Sequence, residues 1–174
     1  MPTASWRSGR ISAALILISM ATGSGALARQ ASVFLTLPSG GTLRFTTRGD
    51  RTAIKRKTRE VLLDRDAAVA SQAPVLSVKL IAEAPGSVLI LTDSYPSRAG
   101  GLSYCQAGEE EFLRVIAGMK ETFRVKLRSC IGELELGEHG ISWDAATSAL
   151  RVEWIGTSAS YHVDEIGQVT ASME

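Results

Sequence analysis

From residue 32 onward the chain alternates apolar and polar side chains with a period of two along most of its length, the pattern of strands with one buried face. Ser32 to Leu37 (SVFLTL) and Thr42 to Thr47 (TLRFTT) flank Pro38-Ser39-Gly40-Gly41. Leu43 and Phe45 fall on one face and Arg44 and Thr46 on the other, which predicts a hairpin. Val75 to Glu83 places Leu76, Val78, Leu80 and Ala82 on one face and Ser77, Lys79 and Glu83 opposite them. Pro85-Gly86 then suits the centre of a type II turn, since glycine supplies the positive φ that this turn requires. Val88 to Leu91 is apolar on both faces and predicts a central strand covered on both sides.

Farther along, Phe123, Val125, Leu127 and Ser129 alternate with Arg124, Lys126 and Arg128, giving one core face and one solvent face. The runs IGELEL, GISWD, ALRVEWI, SYHVD and GQVTA follow, separated by turn segments at Gly137 to Gly140, Ala145 to Ser148 and Glu165 to Gly167. Trp143 and Trp154 lie on inward phases beside Ile141, Leu150 and Val152, as core anchors. EEEFLRVIAGMK is ambiguous: Phe112, Val115, Ile116 and Met119 also fit a short helix. Its β-branched and aromatic content, and Gly118 where a turn is needed, favour a strand turning into Thr122 to Leu127. The pattern therefore predicts an all-β antiparallel domain, sandwich or closed barrel, of about eight to ten strands built from successive hairpins, with room for one short helix.

Residues 48–74 interrupt the alternation. Arg48, Arg51, Lys55, Arg56, Lys57 and Arg59 crowd together with Asp50 the one acid among them. Residues 29–66 hold nine basic and four acidic side chains, and residues 109–174 hold six and twelve. Two alternatives follow: a contact patch for an anionic partner, or a solvated loop whose arginines balance the acidic C-terminal half.

The first 28 residues change the charge balance and place the chain. Arg7 and Arg10 form a positive n-region, Ile11 to Met20 is apolar but for two serines, and Ala26-Leu27-Ala28 fits a small-x-small cleavage site. The apolar core is about half of the roughly 20 residues a membrane-spanning helix needs. Cleavage after Ala28 leaves residues 29–174 as a single periplasmic or secreted domain. Loss of the two leader arginines takes the 19 basic residues to 17 against 18 acidic ones. No basic field remains to attract a nucleic acid backbone.

Export gives the two cysteines their expected role. In an oxidising compartment Cys105 and Cys130 are predicted to form a disulfide, worth roughly 3–4 kcal/mol in the loop-closure model. A hairpin centred between Met119 and Lys120 puts Cys130 opposite Glu109. Four extended residues span about 13 Å, and bridged Cα atoms lie within about 7 Å. The chain must therefore bend back near Ala107-Gly108. A catalytic thiol would need a base, and the acidic flank of Cys105 would disfavour its thiolate.

No nucleophile elbow, phosphate-binding loop, dinucleotide glycine pattern or zinc-protease motif occurs. His139 and His162, with Glu138, Asp144 and Asp164 nearby, lack metal-ligand spacing, and no cofactor is expected. Three functions remain. The first is a non-catalytic module docking onto another envelope or secreted protein in an inhibitor or immunity-type role. The second is an envelope structural component binding an anionic glycan or lipopolysaccharide through the basic segment. The third is a small hydrolase using Glu109, Glu110 or Glu111. Size, export and one cross-link are similar to those of several exported enzyme-inhibitor groups, a likeness of class that transfers no residue.

Overall fold

The computed structural model describes residues 32–98 and 108–172; the leader and Cys105 lie outside them. The described chain is antiparallel β throughout and contains no α-helix. Its twelve strands form three four-stranded sheets. The first contains β1 (Ser32–Thr36), β2 (Thr42–Arg48), β3 (Arg51–Arg56) and β4 (Arg59–Asp64), each paired with its sequence neighbour. The second contains β5 (Ser77–Ala84), β6 (Val88–Pro96), β7 (Glu109–Ala117) and β8 (Lys120–Ser129). The third contains β9 (Leu136–Asp144), β10 (Ala149–Trp154), β11 (Thr157–Val163) and β12 (Val169–Ser172).

The all-β antiparallel architecture built from successive hairpins is as expected, with twelve strands among the described residues rather than eight to ten. The sheets stack in three layers, and the second serves two cores. One of its faces gives Leu89, Leu91, Tyr95, Phe112 and Ile116 to a core shared with Leu43, Phe45, Ile54 and Leu63 of the first sheet. The other gives Val88, Ile90, Leu113, Val115 and Leu127 to a core shared with Leu150, Val152, Trp154 and Val163 of the third. This is why Val88 to Leu91 is apolar on both phases: β6 is buried over all but its last residue. Each fully buried side chain of this size contributes about 1.5–3 kcal/mol. Trp154 also donates its indole N–H to the Lys126 carbonyl at 3.2 Å, tying the third sheet to β8.

Several expectations need correction. Residues 48–74 are not a loop, because β3 and β4 occupy most of their first half. IGELEL is not a separate strand: Ile131 to Leu134 turns, and the predicted turn at Gly137 to Gly140 lies inside the continuous β9. The predicted face of Val75 to Glu83 breaks at a bulge between Leu80 and Ala82. Val78 and Leu80 therefore pack on the first core, whereas Ala82 and Ala84 turn to the second. Leu76 precedes the strand and is exposed.

Other expectations hold. The β1–β2 hairpin has the predicted faces, and Gly86 has φ 73° and ψ 11°, close to the third position of a type II turn. Residues 109–117 form a strand. The β7–β8 turn centres between Gly118 and Met119, one residue earlier than expected, with Ala117 opposite Lys120, but two bulges shift the register so that Glu110 faces Ser129. The ladder thus reaches Cys130 in the expected phase. Gly108 does lie against that cysteine: a Cβ there would fall 2.6 Å from the Cys130 Cβ and 2.8 Å from its Sγ. The Gly108 carbonyl accepts from the Ser97 N–H at 2.9 Å, extending the β6–β7 ladder by one step, and the predicted bend at Ala107 lies outside the described residues.

Candidate partner-contact surface

The β3–β4 hairpin forms although its sequence is dominated by charge. Thr52 and Ile54 on β3 and Val61 and Leu63 on β4 supply the inward phase, with Thr52, Ile54 and Leu63 buried. Arg51, Lys55, Glu60 and Asp64 point outward on the facing pairs Arg51–Asp64 and Lys55–Glu60. Four inward residues among so many charges give a weak period-two signal.

This hairpin divides the six basic residues. Arg48 and Arg51 lie beside the Gly49-Asp50 turn, where Arg48 bonds Glu60 and Arg51 contacts Asp64 at 2.9 Å. Those arginines are balanced by acids of β4 rather than by the C-terminal half. Arg56, Lys57 and Arg59 lie at the opposite tip, about 16 Å away along β3, with Lys55 one residue before them on the outer face. Among the described residues no salt bridge engages these four. Arg56 faces Arg59 directly across the ladder, a destabilising like-charge pair.

Three hairpin tips meet here. Arg56, Lys57, Thr58 and Arg59 form one wall of a cleft of about 400 Å³, Ser87 comes from the β5–β6 turn with Leu89 at the start of β6, and Gly118 and Met119 come from the β7–β8 turn with Ile116 near the end of β7. Lys57, Ser87 and Met119 have φ of 53°, 62° and 66°. Each puts a side chain where glycine would be cheaper by about 1–2 kcal/mol. Strain of this kind gathers at functional sites when the rest of the structure holds it. The sequence signal for the cationic wall was the cluster itself. The apolar floor of Leu89, Ile116 and Met119 had none, because it is assembled from two hairpins separated in sequence. Glu83 is the acid beside Arg56, and its carboxylate is occupied by the Ser39 hydroxyl and by the Ser39 N–H at 3.0 Å. These bonds, with the Arg56 charge as a smaller contribution, hold the Glu83 carboxyl below its ordinary range against the opposing effect of burial.

The far end of the stack carries balanced charge. Lys126 donates to Asp66 at 3.1 Å and stands 3.8 Å from Glu110. Burial opposes the Asp66 charge, but the Ala68 N–H and Lys126 outweigh it and hold its pKa below the usual 3.8. A depressed carboxyl stabilises the fold fully above its unfolded value, and this contribution is lost as pH falls through the folded value. Asp66→Asn should accordingly flatten the loss of stability below about pH 4, read from urea midpoints across a pH series; an unchanged acid limb would contradict this.

The three consecutive glutamates separate as strand geometry requires. Glu110 is fully buried and accepts from Ser97 at 2.8 Å, while Glu111 faces Arg128 at 3.9 Å and Glu109 is exposed. Asp144 and Asp164 accept from backbone N–H groups of their own turns. His162 Nδ1 lies 3.2 Å from the Thr147 carbonyl, and His139 sits with Arg151 and Glu153 on the third sheet. Among the described residues no three His, Cys, Asp or Glu side chains are grouped as metal ligands. No helix among them is long and apolar enough to cross a membrane.

One constellation escaped the sequence reading. Asp93 and Arg114 are fully buried between the first and second sheets, with Arg114 Nε at 2.8 and 2.9 Å from the two carboxylate oxygens. Tyr95 donates to Asp93 and lies 2.7 Å from the Thr52 hydroxyl; Arg114 also reaches Glu121 at 2.7 Å. The signal was present as charged residues on the inward phases of LTDSY and FLRVI.

Compared with known proteins, the chain matches no family model, no curated protein and no solved structure.

Proposed function

We propose that this protein is a non-catalytic binding module, exported to the periplasm or secreted, that docks onto another envelope protein through the end of the stack bearing Arg56, Lys57 and Arg59, in an inhibitor or immunity-type role. The observation that carries the proposal is the convergence of three cations outside any salt bridge among the described residues and three strained, side-chain-bearing turns on one cleft. A surface with no partner would be more stable with glycine at those turns and with mixed charge at the tip. Of the glutamates considered for hydrolysis, Glu110 is buried against Ser97, Glu111 faces Arg128 and Glu109 points to solvent. Export and a Cys105–Cys130 bridge complete the proposal. No free cysteine occurs among the described residues, and Gly108 makes room for Cys130.

A second reading has its own support. Arg44 pairs with Lys55 on the outer face of the first sheet, extending positive charge away from the cleft, as an anionic glycan or lipopolysaccharide would require. A pull-down from an envelope extract separates the two. Docking predicts that one protein is enriched at low salt and lost when Arg56, Lys57 and Arg59 become glutamine, whereas Arg44→Gln leaves capture intact. Capture that survives the triple substitution refutes the docking site; loss in Arg44→Gln together with lipopolysaccharide binding supports the polymer. Mass analysis of unreduced mature protein should show residue 29 at its N-terminus and a mass two hydrogens below the dithiol form.

A further inference from the structure

Resting on the docking proposal, we infer the chemistry that the cleft recognises: a short acidic peptide segment of the partner, with one apolar side chain between two carboxylates. Arg56 and Arg59 face each other across the ladder, and their guanidinium groups match carboxylates in bidentate geometry. Lys57 adds a third cation at the turn between them. An anion placed between two like charges relieves their repulsion, so the unliganded cost of the pair becomes part of the binding free energy. Glu83 stands close enough to Arg56 to feel its charge, but it forms no salt bridge with Arg56 and accepts hydrogen bonds from Ser39.

The floor decides which kind of anion fits. Leu89 and Ile116 are buried below the cationic wall, and Met119 is half-buried at the mouth. A sugar-phosphate polymer offers nothing to this apolar surface, whereas a peptide offers a Leu- or Met-sized side chain. Methionine on such a surface adapts to the shape of what it meets. A volume of about 400 Å³ lies near the lower end of ligand sites, enough for a few side chains. The carboxylates then lie along Arg56 and Arg59 while the apolar residue descends to Leu89 and Ile116. This arrangement follows the usual division of an interface into an apolar anchor and a charged rim.

The test is fluorescence anisotropy with a labelled Asp-Glu-Leu-Glu-Asp peptide, its amide counterpart Asn-Gln-Leu-Gln-Asn, and Asp-Glu-Ser-Glu-Asp. The acidic leucine peptide should bind, weaken with salt, and lose about tenfold in affinity with either control or with Arg56→Gln or Arg59→Gln, the loss expected for one charge-assisted contact. Lys57→Gly keeps a residue suited to φ 53°, so its weakened binding cannot be attributed to unfolding. Equal binding of the serine peptide, or complete displacement by polyphosphate at equivalent charge, would overturn the inference. If no peptide binds while capture of the envelope protein still depends on Arg56, Lys57 and Arg59, this inference fails and docking stands. Capture indifferent to those residues defeats both.

Discussion

Asp93→Ala is expected to lower the unfolding free energy by about 3–5 kcal/mol, the usual result of removing one partner of a buried ion pair. Both side chains are wholly inaccessible, and Asp93 is held by Arg114 Nε and the Tyr95 hydroxyl together. Burial opposes the Arg114 charge, but Asp93, then Tyr95 and Glu121, outweigh it and keep the guanidinium pKa raised. Burial raises the Tyr95 pKa, and the Asp93 charge raises it further, so the phenol stays a neutral donor. Removing the carboxylate strands a cation between two sheets, with Glu121 at the margin as its remaining acidic partner, and one Arg114 nitrogen already lacks an acceptor. A domain typically has about 5–15 kcal/mol in hand, so this loss is a large fraction of the total. Asp93→Leu combined with Arg114→Met should recover most of it, because the pair is worth little net and its disruption much. Urea unfolding measures all three proteins; an Asp93→Ala midpoint close to that of the parent would contradict the account of this network.

Gly86→Ala is expected to cost about 2–5 kcal/mol, from two causes that can be separated. Its φ of 73° carries a penalty of about 1–2 kcal/mol for any Cβ. In addition the Cβ would lie 1.9 Å from the Glu165 carbonyl oxygen, so the β5–β6 and β11–β12 turns must part, a distortion of about 1–3 kcal/mol. Gly118 supplies the comparison, with φ of 57° and nothing within 4 Å of its Cβ position. Gly118→Ala should therefore show the backbone term alone. Equal losses in thermal or urea unfolding would mean that the close approach of the two turns does not contribute to stability.

Much of the architecture was legible because the apolar signal was strong where the burial is complete. Val88 to Leu91 announced a doubly covered strand, and the β1–β2 hairpin and the Trp154 anchor were readable from phase alone. The third layer was not legible: strands that cover one face of a two-sheet sandwich and strands that cover one face of a three-sheet stack alternate in the same way. The bulge between Leu80 and Ala82 was hidden for a related reason, since Ile81 is itself apolar and the reversal of phase leaves no polar mark. At the candidate site, the sequence located Arg56, Lys57 and Arg59 but merged them with Arg48 and Arg51. Only the strand between Arg51 and Arg56 shows that these groups lie at opposite ends. Leu89, Ile116 and Met119 looked like ordinary core and turn residues until three tips were brought together.

The central claim is that the hairpin-tip end is the face that meets the partner. Amide NMR shifts of the isotope-labelled chain, followed as the captured envelope protein is added, test it most directly. The account predicts perturbations clustered at residues 56–59, 87–89 and 116–119. Perturbations clustered instead around Ser97, Gly108 and Cys130 at the far end of the stack, with the tips silent, would contradict it.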